Sequence, residues 1–249
     1  MARKLLLISN STNAGEEYLA WPRGYIQDFL NSFSVKSVLF IPWAGVNLAS
    51  ESVEKSYDIY EERVKKIFSE LGFRLNSIHR EPDRLKAVNE SESVVVGGGN
   101  TFHLVAMMHQ YGVMDAIRDK ILGGAPFIGW SAGANVACPT MKTTNDMPIC
   151  EPSSFQCLGL VPFQINPHYL DAGPAGHAGE TREQRIQEFL TVNRGTTVAG
   201  LREGCLFHVD NDSLKLRGKR SLRVFQFGFE PHEYNCDENL DFLLKVTAG

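Results

Sequence analysis

Four brief runs of Val, Ile, Leu or Phe, at residues 5–8, 38–41, 94–96 and 127–128, each stop at a polar residue, a Gly or a Pro. Runs this short and this uniformly apolar read as strands buried on both faces. Between the second and third, Val53, Tyr57, Tyr60, Val64, Ile67 and Leu71 recur at three- or four-residue steps among Glu, Lys and Asp. That is the spacing of an amphipathic helix, and Gly72 directly after it is a suitable left-handed stop. Strand, helix and strand repeated in this way predict α/β architecture: a mainly parallel sheet with helices on both faces, a three-layer α/β/α sandwich.

From about residue 155 the pattern changes. Residues 158–165 read as a strand, 181–192 as a helix with Ile186, Phe189 and Leu190 inward, and 197–201 as a further strand. Three short strands then follow at 206–209, 214–216 and 222–227. The polar Asp210-Asn211-Asp212 and basic Arg217-Gly218-Lys219-Arg220 between them read as hairpin turns. A small antiparallel C-terminal extension is therefore expected. No linker, low-complexity tract or internal repeat divides the 249 residues, which predicts one domain over 1–249.

Composition excludes several classes. With 43% hydrophobic and 22% charged residues, and Gly and Pro spread along the chain, disorder, collagen and coiled coil are out. A formal charge of −4 gives no global field to gather nucleic acid or an anionic membrane, so neither partner is expected. Four apolar residues at 5–8 are too few for a signal sequence, and no later stretch is long enough to span a membrane. The five cysteines are odd in number and lack C-x-x-C spacing, so they read as reduced core thiols and not as a zinc site or disulfide frame. A cytoplasmic address is expected, with no metal and no organic cofactor. Monomer and homodimer are equally compatible with the sequence.

In an open parallel sheet, ligands bind beyond the carboxyl ends of the strands, which directs attention to two junctions. The first is Gly129-Trp130-Ser131-Ala132-Gly133, a G-x-S-x-G after an apolar strand and before the small residues of a helix start. That context turns a pattern common by chance into a candidate nucleophile elbow, with Ser131 on a sharp turn and the Ala132 amide facing a developing oxyanion. The second is Gly97-Gly98-Gly99-Asn100-Thr101. It lacks both the Lys-Ser/Thr of a P-loop and the G-x-G-x-x-G of a dinucleotide site, and it reads better as the rest of an oxyanion hole, from Gly98 or Gly99.

A serine nucleophile needs a base, and the base an orienting acid. Among seven histidines His168 stands out, ending Ile165-Asn166-Pro167-His168 directly after an expected strand, with His177 in a Gly-rich loop as runner-up. Two carboxylates are open for the acid: Asp146, in Thr143-Thr144-Asn145-Asp146-Met147-Pro148, and Glu203, after the strand at 197–201.

Taken together, these segments resemble the peptidase E family of α-aspartyl dipeptidases, within the class I glutamine-amidotransferase-like superfamily. The most specific matches are the glycine loop with Asn100-Thr101-Phe102, the elbow with Asn135 and Ala137-Cys138-Pro139-Thr140, residues 143–148, residues 165–168, and Gly179-Glu180-Thr181-Arg182-Glu183-Gln184-Arg185. The resemblance fades after Gly204, so residues 205–249 are expected to be a variable extension. It implies a serine peptidase that removes N-terminal aspartate from Asp-X dipeptides. Ser131 carries over as nucleophile, His168 as base, both Asp146 and Glu203 as candidates for the acid, and Arg182 as ligand for the aspartate side chain; Asn100 is expected to touch substrate. A bidentate guanidinium suits such a carboxylate.

One departure is Tyr169-Leu170-Asp171 where the bacterial pattern has Phe-Thr-Asn, which bears on the pocket wall. The superfamily's glutaminases carry cysteine at the elbow, for which Cys138, seven residues on, is a poor substitute. Two rival readings are a cyanophycinase-like aspartyl exopeptidase and a non-catalytic member that binds an acidic ligand. The second has no need to retain nucleophile, base, acid and arginine together.

Overall fold

The computed structural model of the chain describes residues 3–171 and 179–245. The expected apolar runs form β1 (Lys4–Ile8), β2 (Ser37–Ile41), β4 (Val94–Val96) and β5 (Phe127–Trp130). With β3 (Arg74–Ser77) they lie parallel in the order β3-β2-β4-β5-β1. On one face, α1 (Arg23–Ser32) and α2 (Val53–Glu70) bury Ile26, Phe29, Tyr60, Val64 and Phe68 against Leu6, Ile8, Phe40, Val95 and Ile128. On the other, α3 (Arg84–Glu90), α4 (Thr101–Gln110), α5 (Met114–Leu122) and the one-turn α6 (Ala132–Asn135) pack against Leu5, Leu7, Leu39, Ile41, Val94, Val96 and Phe127. Successive strand residues point to opposite faces, so strands covered on both sides must be apolar at every position. The three-layer α/β architecture is the expected one, and Gly72, φ +92°, follows the Leu71 C-cap of α2 as the anticipated left-handed stop.

The C-terminal half departs from the expectation of one sheet. β8 (Cys205–Asp210) pairs antiparallel with β1, and β9 (Ser213–Gly218) pairs with β8 through a short turn, extending the main sheet to seven strands. β6 (Gln164–Tyr169), β7 (Thr197–Arg202), β10 (Leu222–Gln226) and β11 (His232–Tyr234) instead form a second, four-stranded sheet in the order β11-β10-β7-β6. The basic segment at 217–220 is therefore a crossing between sheets and not a hairpin. Arg202 Nη1 donates to Ser221 O at 2.7 Å, tying the chain there to β7.

Similarly, the strand expected at 158–165 starts six residues later. Leu158, Leu160 and Val161 are buried as an irregular core-lining segment, and the Leu158 and Leu160 amides donate to Val136 O and Ala137 O at 3.0 and 2.8 Å. α7 (Arg182–Val192) begins at Thr181 with a capping box: the Gln184 amide donates to Thr181 Oγ1 at 3.2 Å, and the Thr181 amide donates to Gln184 Oε1 at 2.7 Å. Only Glu203 and Gly204 separate β7 from β8, so the corner between the two sheets is two residues long. Among the described residues, no helix is long and apolar enough to cross a membrane.

Candidate active site

Ser131 follows β5 directly and takes φ +55°, ψ −113°, a conformation that costs a non-glycine residue about 1–3 kcal/mol. Its glycine neighbours explain how the turn is held. A Cβ on Gly129 would collide with the carbonyl oxygen of Gly133, and one on Gly133 with that of Val96, so α6 can lie flat against β4 and β5 only with both glycines present. The outcome is the strand-turn-helix elbow expected from the motif.

Across from it, His168 Nε2 lies 2.8 Å from Ser131 Oγ, and His168 Nδ1 lies 2.9 Å from Glu203 Oε1. Contrary to the sequence reading, His168 does not follow a strand. It sits inside β6, at φ +54°, where the register against β7 slips between Pro167 and Tyr169. Such a bulge re-aims a side chain. Ser9, just past β1, holds it: Ser9 Oγ donates to Leu201 O at 2.7 Å and accepts from the His168 amide at 2.9 Å.

The two carboxylates left open by the sequence separate. Glu203 occupies the corner between β7 and β8, where the Gly204 amide donates to Asn10 Oδ1 at 2.8 Å. Asp146 is engaged elsewhere: its Oδ2 accepts from the Thr101 amide at 2.7 Å, Thr101 Oγ1 at 2.6 Å and Thr144 Oγ1 at 3.0 Å. It therefore pins the loop at 143–148 to the N-terminus of α4, where a negative charge is favoured. The runner-up His177 falls outside the described residues.

Gly97 donates to Ile41 O at 3.1 Å and Asn100 to Ala44 O at 2.8 Å. The amides of Gly98 and Gly99 between them, and that of Ala132, make no hydrogen bond among the described residues. A Cβ on Gly98 would lie 2.9 Å from Ser131 Cβ, so this loop touches the serine directly. Gly99, at φ +133°, leaves no room for a side chain against Ala44 O. Asn100 caps α4, accepting from the His103 amide at 3.1 Å, and its Nδ2 donates to Met147 O at 2.9 Å.

Ser131, His168, Gly98, Gly99 and Asn100 line one cleft of about 410 Å³, within the roughly 300–1,000 Å³ usual for small-molecule sites. Arg182 does not line it. With Asp146, Asn166 and Arg185 it lines a separate cleft of about 160 Å³. Burial, then the neighbouring Arg185, lower the Arg182 pKa, while Asp146 opposes the shift. Cys138 is fully buried, and desolvation pushes its thiol up to about 12, which keeps it protonated. Among the described residues no three His, Cys, Asp or Glu side chains cluster as a metal site would require.

The family model "Peptidase family S51" matches residues 5–217. The chain belongs to peptidase family S51. A protein from Nostoc sp. called "Peptidase E" is 50% identical over 248 residues, covering 100% of this chain and 99% of that one. A Salmonella arizonae "Peptidase E" is 44% identical over 227 residues, covering 91% of this chain and 95% of its own. A solved structure, "Crystal structure of a peptidase from an acI-B1 Actinobacterium", superposes with a TM-score of 0.72 at 14% identity, over 96% of this chain and 97% of that one. At that identity the likeness is one of fold. The sequence reading of a serine peptidase agrees with this membership. The Nostoc protein is matched beyond Gly204 as well, so residues 205–249 are shared with that relative.

The S51 fold also brings to the cleft residues that sequence patterns did not flag. The Tyr60 hydroxyl donates to Gly98 O at 3.0 Å and accepts from Trp130 Nε1 at 3.0 Å, and Tyr18 OH lies 2.9 Å away. Tyr60 sits in the apolar stripe of α2, where its pattern signals only core. The clue available was chemical: a buried tyrosine hydroxyl needs a partner. Ser9 carried no signal beyond following a strand.

Proposed function

We propose that this S51 serine dipeptidase removes N-terminal aspartate from Asp-X dipeptides in the cytoplasm, with Ser131, His168 and Glu203 as its catalytic triad. The observation that carries the reading is His168 bridging Ser131 Oγ and Glu203 Oε1 at 2.8 and 2.9 Å. His168 Nε2 takes the proton of Ser131 as Oγ attacks the carbonyl carbon of the aspartyl residue. Glu203 accepts from Nδ1, fixing the ring's tautomer and favouring the imidazolium. The tetrahedral oxyanion is met by free amides of the Gly98-Gly99 turn and Ala132, each typically contributing about 3 kcal/mol to the barrier. The protonated ring then donates to the leaving amine, the C–N bond breaks, and water, deprotonated by the same histidine, releases aspartate from Ser131.

Arg182 supports the aspartate preference. It is partly desolvated, lies beside a second cation, Arg185, and has no ion-pair partner among the described residues. A carboxylate brought to it relieves both penalties. Asn for Asp in the substrate leaves the guanidinium unsatisfied, at about 1.5–3 kcal/mol for a charged hydrogen bond. Asp146 is given a supporting role at the start of α4. The five cysteines, all free, fit the reducing cytoplasm.

Steady-state hydrolysis of Asp-Leu, Asn-Leu and Glu-Leu tests the reading. Ser131→Ala should abolish turnover of Asp-Leu, and Arg182→Ala should erase most of the preference over Asn-Leu. Glu203→Gln should lower kcat by about 10²–10⁴-fold, as loss of a triad orienter does, and Asp146→Asn by much less. Activity confined to β-aspartyl or polymeric aspartyl-arginine substrate would favour the cyanophycinase-like alternative. Full Asp preference in Arg182→Ala would overturn the specificity assignment.

A further inference from the structure

We propose that Arg63 binds the C-terminal carboxylate of the dipeptide, making the cleft a measure of substrate length. The inference rests on the Asp-X reading above. It begins from the second wall of the cleft that Ser131 and His168 line. That wall comes from Ser11, Tyr18, Val46, Leu48 and α2, and among the described residues Arg63 is the one Lys or Arg on it.

Arg63 lies on the exposed face of α2, one turn after Tyr60, whose hydroxyl reaches Gly98 O. Because α2 follows β2 in a parallel sheet, it starts at the carboxyl edge and runs away from it. Side chains on a helix lean toward its N-terminus, so a long side chain at position 63 leans back toward the cleft. The Tyr18 ring meets it there, with the guanidinium carbon 5.5 Å from the ring centroid. Aromatic contact orients a guanidinium without neutralising it.

Among the described residues nothing else claims the charge. Glu61 is already paired with Arg80 at 2.9 Å and Lys65 at 3.8 Å, and Glu62, the adjacent residue, faces another direction on the helix. Among the described residues no carboxylate lies within ion-pair distance of Arg63. Its neighbours on the helix at three and four positions are Tyr60, Lys66, Ile59 and Ile67, none acidic.

The two arginines then serve different ends of the substrate. Arg182 belongs to the cleft beside α7 and Asn166, while Arg63 comes from α2, which packs with α1 on one face of the main sheet, and the two clefts share no lining residue. With the aspartyl side chain on the Arg182 side, the leaving residue extends along the wall of Tyr18, Val46 and Leu48. Its C-terminal carboxylate is the anion that remains for Arg63. A third residue or an amide at that end removes the charge from this position.

The test compares Asp-Leu, Asp-Leu-amide and Asn-Leu with wild type, Arg63→Ala and Arg63→Lys. Wild type should prefer Asp-Leu over its amide, and Arg63→Ala should raise the KM for Asp-Leu about 10- to 100-fold, as loss of a charged hydrogen bond does. Its kcat should change little, the acid and amide should become equivalent, and Asp-over-Asn preference should persist; Arg63→Lys should recover part of the acid preference. Equal effects of Arg63→Ala on acid and amide, or no wild-type preference between them, would overturn this assignment while leaving Asp-X hydrolysis intact. Loss of Asp-over-Asn preference in Arg63→Ala would mean that Arg63 reads the aspartyl side chain. No wild-type turnover of either aspartyl substrate would overturn the Asp-X reading and this assignment with it.

Discussion

The carbonyl and the N–H of a trans peptide group lie in one rigid plane and point in opposite directions, so fixing one fixes the other. Tyr60 donates to Gly98 O at 3.0 Å and is itself held by Trp130 Nε1 and Tyr18 OH. The Gly99 amide in the same plane is thereby turned away from Tyr60. Burial, with the Tyr18 hydroxyl beside it, raises the Tyr60 pKa well above its ordinary value, so it remains a donor. With the Gly99 amide as the proposed oxyanion donor, Tyr60→Phe should lower kcat for Asp-Leu about tenfold with KM within about twofold, the split expected when such a donor loses its orientation. It should also cost about 1–3 kcal/mol in urea unfolding, since Gly98 O and Trp130 Nε1 lose a buried partner. A raised KM with unchanged kcat would place Tyr60 in ground-state binding instead. Such contacts were illegible in sequence because Tyr60 satisfies the helix pattern as any core residue does. Ser131 was legible because G-x-S-x-G encodes the close approach of α6 to β4 and β5.

At the level of elements, Arg202 joins four strands. From the end of β7, with its side chain only 8% exposed, it donates to Asp171 after β6, to Ser221 before β10 and to Glu233 on β11. The next residue is Glu203, so this network borders the sheet corner that holds the Glu203 carboxylate 2.9 Å from His168 Nδ1. Hydrogen bonds from Arg202 lower the Asp171 pKa and hold Glu233 down at about 2. A carboxylate depressed by folding contributes stability that is complete above its unfolded pKa, about 4.3, and is lost as pH falls toward the folded value. Urea midpoints should therefore drop between about pH 4.5 and pH 2, and Glu233→Gln should flatten part of that drop. The Glu233 side chain is 39% exposed, so solvent screening limits its share to about 1 kcal/mol. An unchanged acid limb in Glu233→Gln would remove Glu233 from the account. The turn at 217–220 misled for a related reason. Turn-forming residues mark where a strand ends, but not which neighbour the next strand takes, and that choice depends on Arg202 and β7, far away in sequence.

For the whole molecule, the open matter is why the chain continues past residue 217, where the family model stops. Sequence patterns exposed four of the five parallel strands and α2, because fully apolar runs and a long amphipathic stripe are local signals and βαβ crossovers leave few topologies, whereas β3, RLNS with alternating burial, carried no such run. In the tail the turn at 210–212 gave the β8–β9 hairpin correctly, but the patterns did not place β10 in the second sheet. In the fold, β10 covers β7 along residues 197–200, and Leu222, Leu240 and Leu243 are fully buried in the larger core cluster. Removing everything after Gly218 uncovers that core and leaves β7, the strand leading to Glu203, with an unpaired edge. It also strips Ser221 and Glu233 from Arg202. Each buried leucine lost is typically worth about 1.5–3 kcal/mol, so three of them alone approach the 5–15 kcal/mol that holds a domain together. A chain ending at Gly218 should therefore lose its cooperative thermal transition and its Asp-Leu activity, and should aggregate on size-exclusion chromatography because of the exposed strand edge. A monodisperse truncated protein with native melting and kcat would show that the main sheet positions Glu203 without help from the tail.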